Sequence, residues 1–438
     1  MKILLIFPKV KYHHKDLKKD NEVFLKLFGE GLSLTLPQVA AATPKKHTVE
    51  IIDENYEDLD FKKIKNYDLV GITCLTMSSN RSYEIADKIK KLKIPVVLGG
   101  NHPSALPEEA KQHADSVVVG EAEYTWPQLI NDFENGCLKE FYKHKKSVLS
   151  EYIPEPRRDL IKRKYYMDGL LIKRGCPNRC EFCFITSIYN KGKRPIEHVI
   201  NEIKSIPTKN IFIFDQNLTW DMTYTKKLLK KIKNINKRFF ANGTINVLGN
   251  DKEFLQLSKE ADLKYWYIGF ESVSQESLNG AKKSHNKVEK YSNTINKIKK
   301  YGMVISGSFM FGFDQDRSKI FNETLKFLDE QGIDLAEFHI VTPYPGTQLY
   351  KRLKKENRIL HEDWSKYNTA NVVFKPKNMT IDELFNGVKS IAKRFYTIPK
   401  IIKRAFKAFF TTKSPYYFYY VLLRNLQYRE RYKNQFNF

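Results

Sequence analysis

The sequence has little cysteine and no long hydrophobic run, and each shortage excludes a class of protein. Only five of the 438 residues are cysteine, which is too few for a disulfide scaffold. The longest apolar run near the C-terminus covers residues 416–423, whereas a membrane-spanning helix needs about 20 such residues. Residues 1–8 lack the length and the small-residue cleavage site of a secretory signal. We therefore expect a cytoplasmic protein.

Acidic residues are scarce relative to basic ones. Lys and Arg number 75 against 50 Asp and Glu, so the formal net charge is +25 at pH 7. Residues 390–438 contain six Lys and five Arg against one Glu, and so carry +10. This excess suits a polyanionic partner such as nucleic acid, a phospholipid surface or a phosphorylated substrate, and a solvated lysine-rich surface would give the same composition.

In the first part of the chain, apolar runs alternate with helix-like stretches. The runs are residues 3–7, 49–52, 69–73, 96–98 and 117–119, and the stretches between them are 34–42, 59–64, 81–91, 107–112 and 123–133. This alternation predicts an α/β fold, a doubly wound parallel sheet with flavodoxin-like order.

Ligands of such sheets bind beyond the carboxyl ends of the strands. Thr76, Gly99, Gly100, Gly120 and Glu121 lie at those ends. Glycines let the backbone approach a flat ligand closely, and they also serve as ordinary turns into helices. The first five strands therefore predict a candidate ligand site at this edge.

Three of the five cysteines, Cys176, Cys180 and Cys183, fall within eight residues. The spacing C-x3-C-x2-C can direct three thiolates at one face of an iron–sulfur cube. A structural zinc site needs four ligands, and no fourth Cys or His is close in the sequence. Three ligands leave one iron open for a substrate or cofactor.

With the aromatic Phe182 before the third cysteine, this motif resembles the radical SAM signature. In that superfamily the three thiolates hold a [4Fe–4S] cluster, and its open iron binds S-adenosylmethionine (SAM). The resemblance implies cleavage of SAM to a 5′-deoxyadenosyl radical, an electron donor such as a flavodoxin or ferredoxin, and a place for Phe182 near the adenine. It also implies a partial (βα)6 barrel, with strands after the cysteine strand at 210–214, 238–241, 264–269, 303–311 and 337–341.

Polar residues on these strands are candidates for the SAM site. Asp215 and Asn217 follow one strand, Glu271 follows another, and Ser306 lies within a third. In relatives this rim of the barrel surrounds SAM, so the resemblance implies that role for the four residues. Any one of them could equally be a structural group of the barrel rim.

The chain as far as about residue 396 resembles the cobalamin-binding radical SAM family, to which hopanoid methylases and the bacteriochlorophyll cyclase belong. The motifs that carry this resemblance are Gly99-Gly100-x-His-Pro, Val119-Gly120-Glu121 and Arg174-Gly175-Cys176-Pro177. It implies a flavodoxin-like cobalamin-binding-type domain at 1–140, a linker at 141–165, the barrel at 166–342 and an α-rich extension at 343–438. The loop at 8–16 lacks the D-x-H-x-x-G motif, so the resemblance implies cobalamin held base-off without a protein histidine.

The extension contains a basic amphipathic stretch. Apolar residues at 398, 401, 402, 405, 406, 409 and 410 share one helical face, and lysines and an arginine occupy another. Such a stretch suits peripheral contact with an anionic membrane. The alternative is that its apolar face packs on the barrel, and nucleic acid is the weaker candidate partner.

The combined resemblance predicts cobalamin-dependent methyl transfer to an unactivated carbon of a hydrophobic or lipid-like small molecule. A radical SAM cyclase, oxidase or carbon–carbon coupling enzyme, with or without cobalamin, is the first alternative. Methylthiolation of tRNA is disfavoured because the first domain has only Cys74 and not a second cysteine triad. A non-catalytic iron–sulfur or cobalamin sensor that binds nucleic acid is the alternative from another class.

Overall fold

The computed structural model describes residues 1–10, 33–144, 153–163, 165–189 and 191–438. Its first sheet has six parallel strands in the order β2-β1-β3-β4-β5-β6. The strands are β1 (Lys2–Phe7), β2 (Thr48–Asp53), β3 (Leu69–Thr73), β4 (Val96–Gly99), β5 (Ser116–Val119) and β6 (Phe141–Lys143). The first five have the predicted flavodoxin-like order, and β6 is an additional strand that the sequence pattern did not indicate.

Helices cover both faces of this sheet because its central strands are apolar on both sides. All five residues of β3 are buried. The helices are α1 (Thr35–Ala42), α2 (Phe61–Ile64), α3 (Ser79–Lys90), α4 (Asn101–Ala105), α5 (Pro107–His113) and α6 (Ala122–Glu134). The sheet therefore leaves its strand ends, and not its faces, available to a ligand.

The second sheet is the partial barrel that the resemblance implied. Its six parallel strands follow the order β14-β13-β12-β11-β10-β7. They are β7 (Met167–Leu170), β10 (Asn210–Ile213), β11 (Arg238–Gly243), β12 (Leu263–Glu271), β13 (Val304–Phe311) and β14 (Leu335–Ile340), while β8 (Lys173–Arg174) and β9 (Gly192–Lys193) form a short antiparallel pair beside it.

Helices surround the barrel, and the longer ones are amphipathic and bury one face. They are α7 (Ile185–Ile188), α8 (Ile196–Ser205), α9 (Met222–Ile232), α10 (Ile245–Leu248), α11 (Lys252–Glu260), α12 (Gln275–Gly280), α13 (Tyr291–Lys300) and α14 (Ile320–Gln331). A 3-10 turn at residues 288–290 leads into α13.

The extension adds α15 (Gln348–Lys355), α16 (Ile381–Phe395), α17 (Ile398–Thr412) and α18 (Pro415–Phe436). Thr380 and Glu383 form a capping box that fixes the start of α16. No helix in the described ranges has both the length and the apolarity to cross a membrane.

Helix α18 closes the amino-terminal end of the barrel. The Tyr416 hydroxyl lies 2.7 Å from that of Tyr166 and 3.3 Å from Oδ1 of Asn210. The Asn425 side chain donates to the backbone oxygen of Asp334 at 3.1 Å. Each of these partners is at or beside the start of a barrel strand, so α18 lies opposite the strand ends that carry the cysteine loop.

Candidate active site

A single cavity of about 710 Å³ joins the two sheets. It extends from the carboxyl ends of the first sheet, through the barrel interior, to α18. Side chains that line its first-domain part include Leu5, Val97, Val118 and Trp126, and the barrel part includes Phe212, Phe214, Tyr265 and Tyr420. A volume of this size, with apolar and aromatic walls, suits a small organic ligand.

Gly99, Gly100, Gly120 and Glu121 all line the cavity as the sequence predicted. Gly100 has φ +102°, and a Cβ there would lie 3.0 Å from the backbone oxygen of Cys74, so only glycine fits. Gly120 has φ +87°, and a Cβ there would meet no atom within 4 Å. These turns bring bare backbone to the cavity surface, which fits a large flat group such as a corrin.

Thr76 and His102 form a separate network behind this surface. Oγ1 of Thr76 lies 3.4 Å from Nδ1 of His102, and Nε2 of His102 lies 3.0 Å from Glu109. Trp364 of the extension donates to the same glutamate at 3.1 Å. His102 is fully buried, so these groups fasten the extension to the first domain. Contact of Thr76 with a cofactor stays a prediction, and residues 11–16 of the loop that lacks the histidine motif lie outside the described residues.

An ion pair crosses the cavity rim between the two domains. The Arg174 guanidinium contacts the Glu123 carboxylate and lies 3.8 Å from that of Glu121. All three side chains are mostly buried. Because Arg174 stands two residues before Cys176, this pair connects the position of the cysteine loop to that of the glycine turns.

The cysteine loop follows β8 and is held at several points. The backbone N–H of Gly175 donates to Gln216 at 3.0 Å, and the Glu181 N–H donates to the backbone oxygen of Ala281 at 3.0 Å. Asn217 lies beside the loop, with its amide nitrogen 3.9 Å from Sγ of Cys176. Asn217 is thus the polar residue of the second barrel strand that the structure brings to the cysteines.

The thiols of the cysteine loop lie in surroundings that disfavour their charged thiolate form. Burial raises the pKa of Cys180 to about 12, and the charge of Lys283 opposes this rise. Burial also raises the pKa of Cys183. Within the described part of the chain no three His, Cys, Asp or Glu side chains converge as a single-ion site would require. An iron–sulfur cube does not need such convergence, because each thiolate binds a different iron.

Glu271 and Lys283 form a buried pair next to the cysteines. Glu271 has φ +64° and stands where the register between β12 and β13 shifts, and such irregularities redirect a side chain. Its carboxylate accepts from Lys283 at 2.7 Å, with the Ser308 hydroxyl at 3.4 Å. The Lys283 ammonium also lies 5.9 Å from the centre of the Phe182 ring. Three groups suited to an amino acid and a nucleoside therefore adjoin the cysteine loop.

Asp215 and Ser306 are placed differently from these groups. Asp215 is fully buried and accepts the backbone N–H groups of Ile172 and Lys173 at 2.8 and 2.9 Å. Burial raises its pKa to about 6. Ser306 is also fully buried on β13. The structure does not bring either side chain to the cavity wall, where Gln216 and Asn242 lie instead, so their contact with SAM stays a prediction.

At the amino-terminal end of the barrel, polar side chains line the cavity. We call this part of the cavity wall the cavity floor. It consists of Tyr265, Tyr267, Glu337, Tyr420, Arg424 and Tyr428. The Tyr428 hydroxyl donates to Glu337 at 2.9 Å. Sequence reasoning missed this floor, Lys283 and the pairing of Arg174, because each depends on contacts between elements far apart in the chain.

Comparison with known proteins matches three family models to the chain. The radical SAM superfamily matches residues 170–328, the B12 binding domain matches 23–130, and a domain of unknown function (DUF4070) matches 347–420.

Two of the similar proteins are enzymes of Chlorobaculum tepidum. The bacteriochlorophyllide d C-8(2)-methyltransferase is 34% identical over 367 residues, which cover 78% of this chain and 80% of the relative. The bacteriochlorophyllide d C-12(1)-methyltransferase is 30% identical over 387 residues, which cover 85% and 84%.

A similar solved structure is the radical SAM methyltransferase TsrM of Kitasatospora setae with cobalamin and a [4Fe–4S] cluster bound. Its TM-score is 0.66 at 16% identity, and the match covers 81% of this chain and 75% of that one. At this identity the likeness is one of fold. It confirms the arrangement of a flavodoxin-like domain before a partial barrel.

Proposed function

The chain belongs to the cobalamin-dependent radical SAM methyltransferase family, and we propose that it methylates an unactivated carbon of a hydrophobic, lipid-like small molecule. One observation above all supports this proposal. The glycine turns of the first domain and the aromatic barrel interior line one continuous cavity. A methyl carrier and an apolar substrate could therefore bind side by side in this cavity without water between them.

The cofactors are a [4Fe–4S] cluster, SAM and cobalamin. When bound, the reduced cluster supplies the electron that cleaves SAM, and cobalamin carries the methyl group to be transferred. Cys176, Cys180 and Cys183 would hold the cluster. The corrin would lie against Gly99, Gly100 and Gly120, with no protein histidine as a cobalt ligand. A flavodoxin or ferredoxin would donate the electron to the cluster.

We assign the rest of the chemistry to groups around the cysteine loop. Lys283 and Glu271 would bind the carboxylate and the ammonium of SAM, exchanging their mutual ion pair for two pairs with the ligand. Phe182 would pack on the adenine. The aromatic walls of the barrel would exclude water, which protects a carbon radical from side reactions.

Replacing Lys283 with methionine is expected to weaken SAM binding by about tenfold, because one charge-assisted contact is lost. Lys282→Met is the matched control, since the Lys282 side chain is exposed and bonds to Gln348 at 2.8 Å. SAM affinity is measured by equilibrium dialysis on protein with equal iron content. Equal affinities for the two variants would contradict the assignment.

The proposed reaction is tested with SAM that carries a deuterated methyl group. Anaerobically reconstituted holoenzyme is incubated with this SAM, a reductant and a fractionated lipid extract. We expect a product that retains all three deuterons, together with S-adenosylhomocysteine and 5′-deoxyadenosine. A product formed with 5′-deoxyadenosine but without the deuterated methyl group would instead indicate a cyclase, oxidase or coupling enzyme.

We also propose that α17 rests on an anionic membrane surface. Six of the nine exposed large hydrophobic residues in the described ranges lie between residues 398 and 419, namely Ile398, Ile402, Phe406, Phe409, Phe410 and Tyr419. Phe410 is 71% exposed. Lys403, Lys407 and Lys413 are exposed beside them, and an apolar helix face flanked by lysines suits anionic headgroups.

Vesicle co-sedimentation tests this contact. We expect the protein to sediment with phosphatidylglycerol vesicles. The double variant Phe406→Ser, Phe410→Ser should lower the partition coefficient by about tenfold, because two exposed aromatic side chains that would enter the membrane interface are lost. Leu360→Ser, which removes an exposed apolar residue elsewhere, is the control. Absence of wild-type binding, or equal binding of the double variant, would refute the proposal.

A further inference from the structure

Arg424 on the cavity floor makes no hydrogen bond to a carboxylate among the described residues, although Glu337 lies close enough to act on its charge. Nη1 donates to Gln427 at 2.5 Å, and Nη2 lies 3.3 Å from the Tyr428 hydroxyl. The Nε atom is buried and has no hydrogen-bond partner among the described residues. Both acceptors are neutral groups, although a buried guanidinium ordinarily requires an anion.

The other arginine that lines the cavity shows the contrast. Arg174 is paired with Glu121 and Glu123 at the rim. The one carboxylate on the floor belongs to Glu337, and it is engaged by Tyr428 at 2.9 Å and by Arg431 at 3.1 Å. The Glu337 carboxylate is therefore shared between Tyr428 and Arg431, and it makes no hydrogen bond to Arg424.

We propose that Arg424 binds a carboxylate on the substrate. The substrate would then be an apolar molecule, about as large as a fused aromatic ring system, with one anionic end. This inference rests on the proposed function. The Nε–H would donate to the carboxylate, and Tyr265, Tyr267 and Tyr420 line the same floor. A single guanidinium matches the single charge of a carboxylate. Since α18 lies opposite the cysteine loop, this contact would anchor the substrate away from the reacting carbon.

The test compares 1-pyrenebutyric acid with its methyl ester, which differ in the charge and share the apolar body. Binding of each to the reconstituted holoenzyme is measured by equilibrium dialysis. We expect the acid to bind at least about tenfold more tightly than the ester, the gain of one charge-assisted contact. Arg424→Gln should abolish this preference, and Arg424→Lys should retain part of it.

Arg429→Gln is the control on the same helix, because the Arg429 side chain pairs with Glu430 outside the cavity. It should keep the wild-type preference. Equal binding of acid and ester, no binding of either, or a preference that survives Arg424→Gln would overturn the inference. Cleavage of SAM by the wild-type holoenzyme is measured in parallel. If SAM is cleaved but the acid binds no more tightly than the ester, only the assignment of an anionic substrate end is refuted. If SAM is not cleaved, the proposed function is refuted as well.

Discussion

Replacing Cys180 with alanine is expected to abolish SAM cleavage, with 5′-deoxyadenosine formation falling by roughly 1000-fold or more. Cys180 is buried among groups that hold the cysteine loop, and alanine fits the space without leaving a polar atom unsatisfied. The effect would come from loss of one of the three cluster thiolates and not from unfolding. The measurements are iron content, the charge-transfer absorption of the cluster, and 5′-deoxyadenosine by liquid chromatography.

Cys137→Ala is the matched control for this variant. Cys137 is an exposed free cysteine that follows α6 in the first domain, so its removal should change neither iron content nor SAM cleavage. Retention of a full cluster by the Cys180 variant, or an equal loss in the Cys137 variant, would refute the assignment of the three cysteines.

Replacing Gly120 with asparagine is expected to weaken cobalamin binding by about tenfold or more. Asparagine tolerates positive φ better than most residues, so the backbone of this turn can persist. The added side chain would enter open space at the cavity wall. Overfilling a well-fitted site costs about 1–3 kcal/mol, and each 1.4 kcal/mol is about a tenfold loss of affinity.

Gly136→Asn separates this steric effect from backbone strain. Gly136 has φ +69° and open space around its Cβ position, but it lies in the turn after α6. Both variants should show the same small loss of thermal stability, and only Gly120→Asn should lose cobalamin. Equal cobalamin affinity in the two variants would mean that the glycine turns do not form the corrin site.

Local patterns predicted much of this molecule. The order of the first five strands followed from alternating apolar runs, and the cysteine loop followed from its spacing alone. Gly99, Gly100, Gly120 and Glu121 reached the cavity because the carboxyl ends of parallel strands share one edge. In each case the physical determinant lies within a few consecutive residues.

The cavity floor could not be predicted in this way. The aromatic residues of 416–423 are compatible with a membrane surface and with the end of a barrel, and only tertiary packing decides between them. In the structure α18 fills the barrel end, whereas α17 buries Ile401 and Ala405 and leaves Ile402, Phe406 and Phe410 exposed. The ion pairs Arg174–Glu123 and Lys283–Glu271 likewise could not be predicted, because no local sequence pattern relates the two members of either pair.

We expect one cavity to hold cobalamin against the barrel that carries the cluster. This binding is tested most directly by the ultraviolet–visible spectrum of anaerobically reconstituted protein that has been mixed with hydroxocobalamin and then desalted. We predict about one corrin and about four irons per chain. A protein that retains its iron–sulfur absorption while the corrin washes away would show that this cavity is not a cobalamin site.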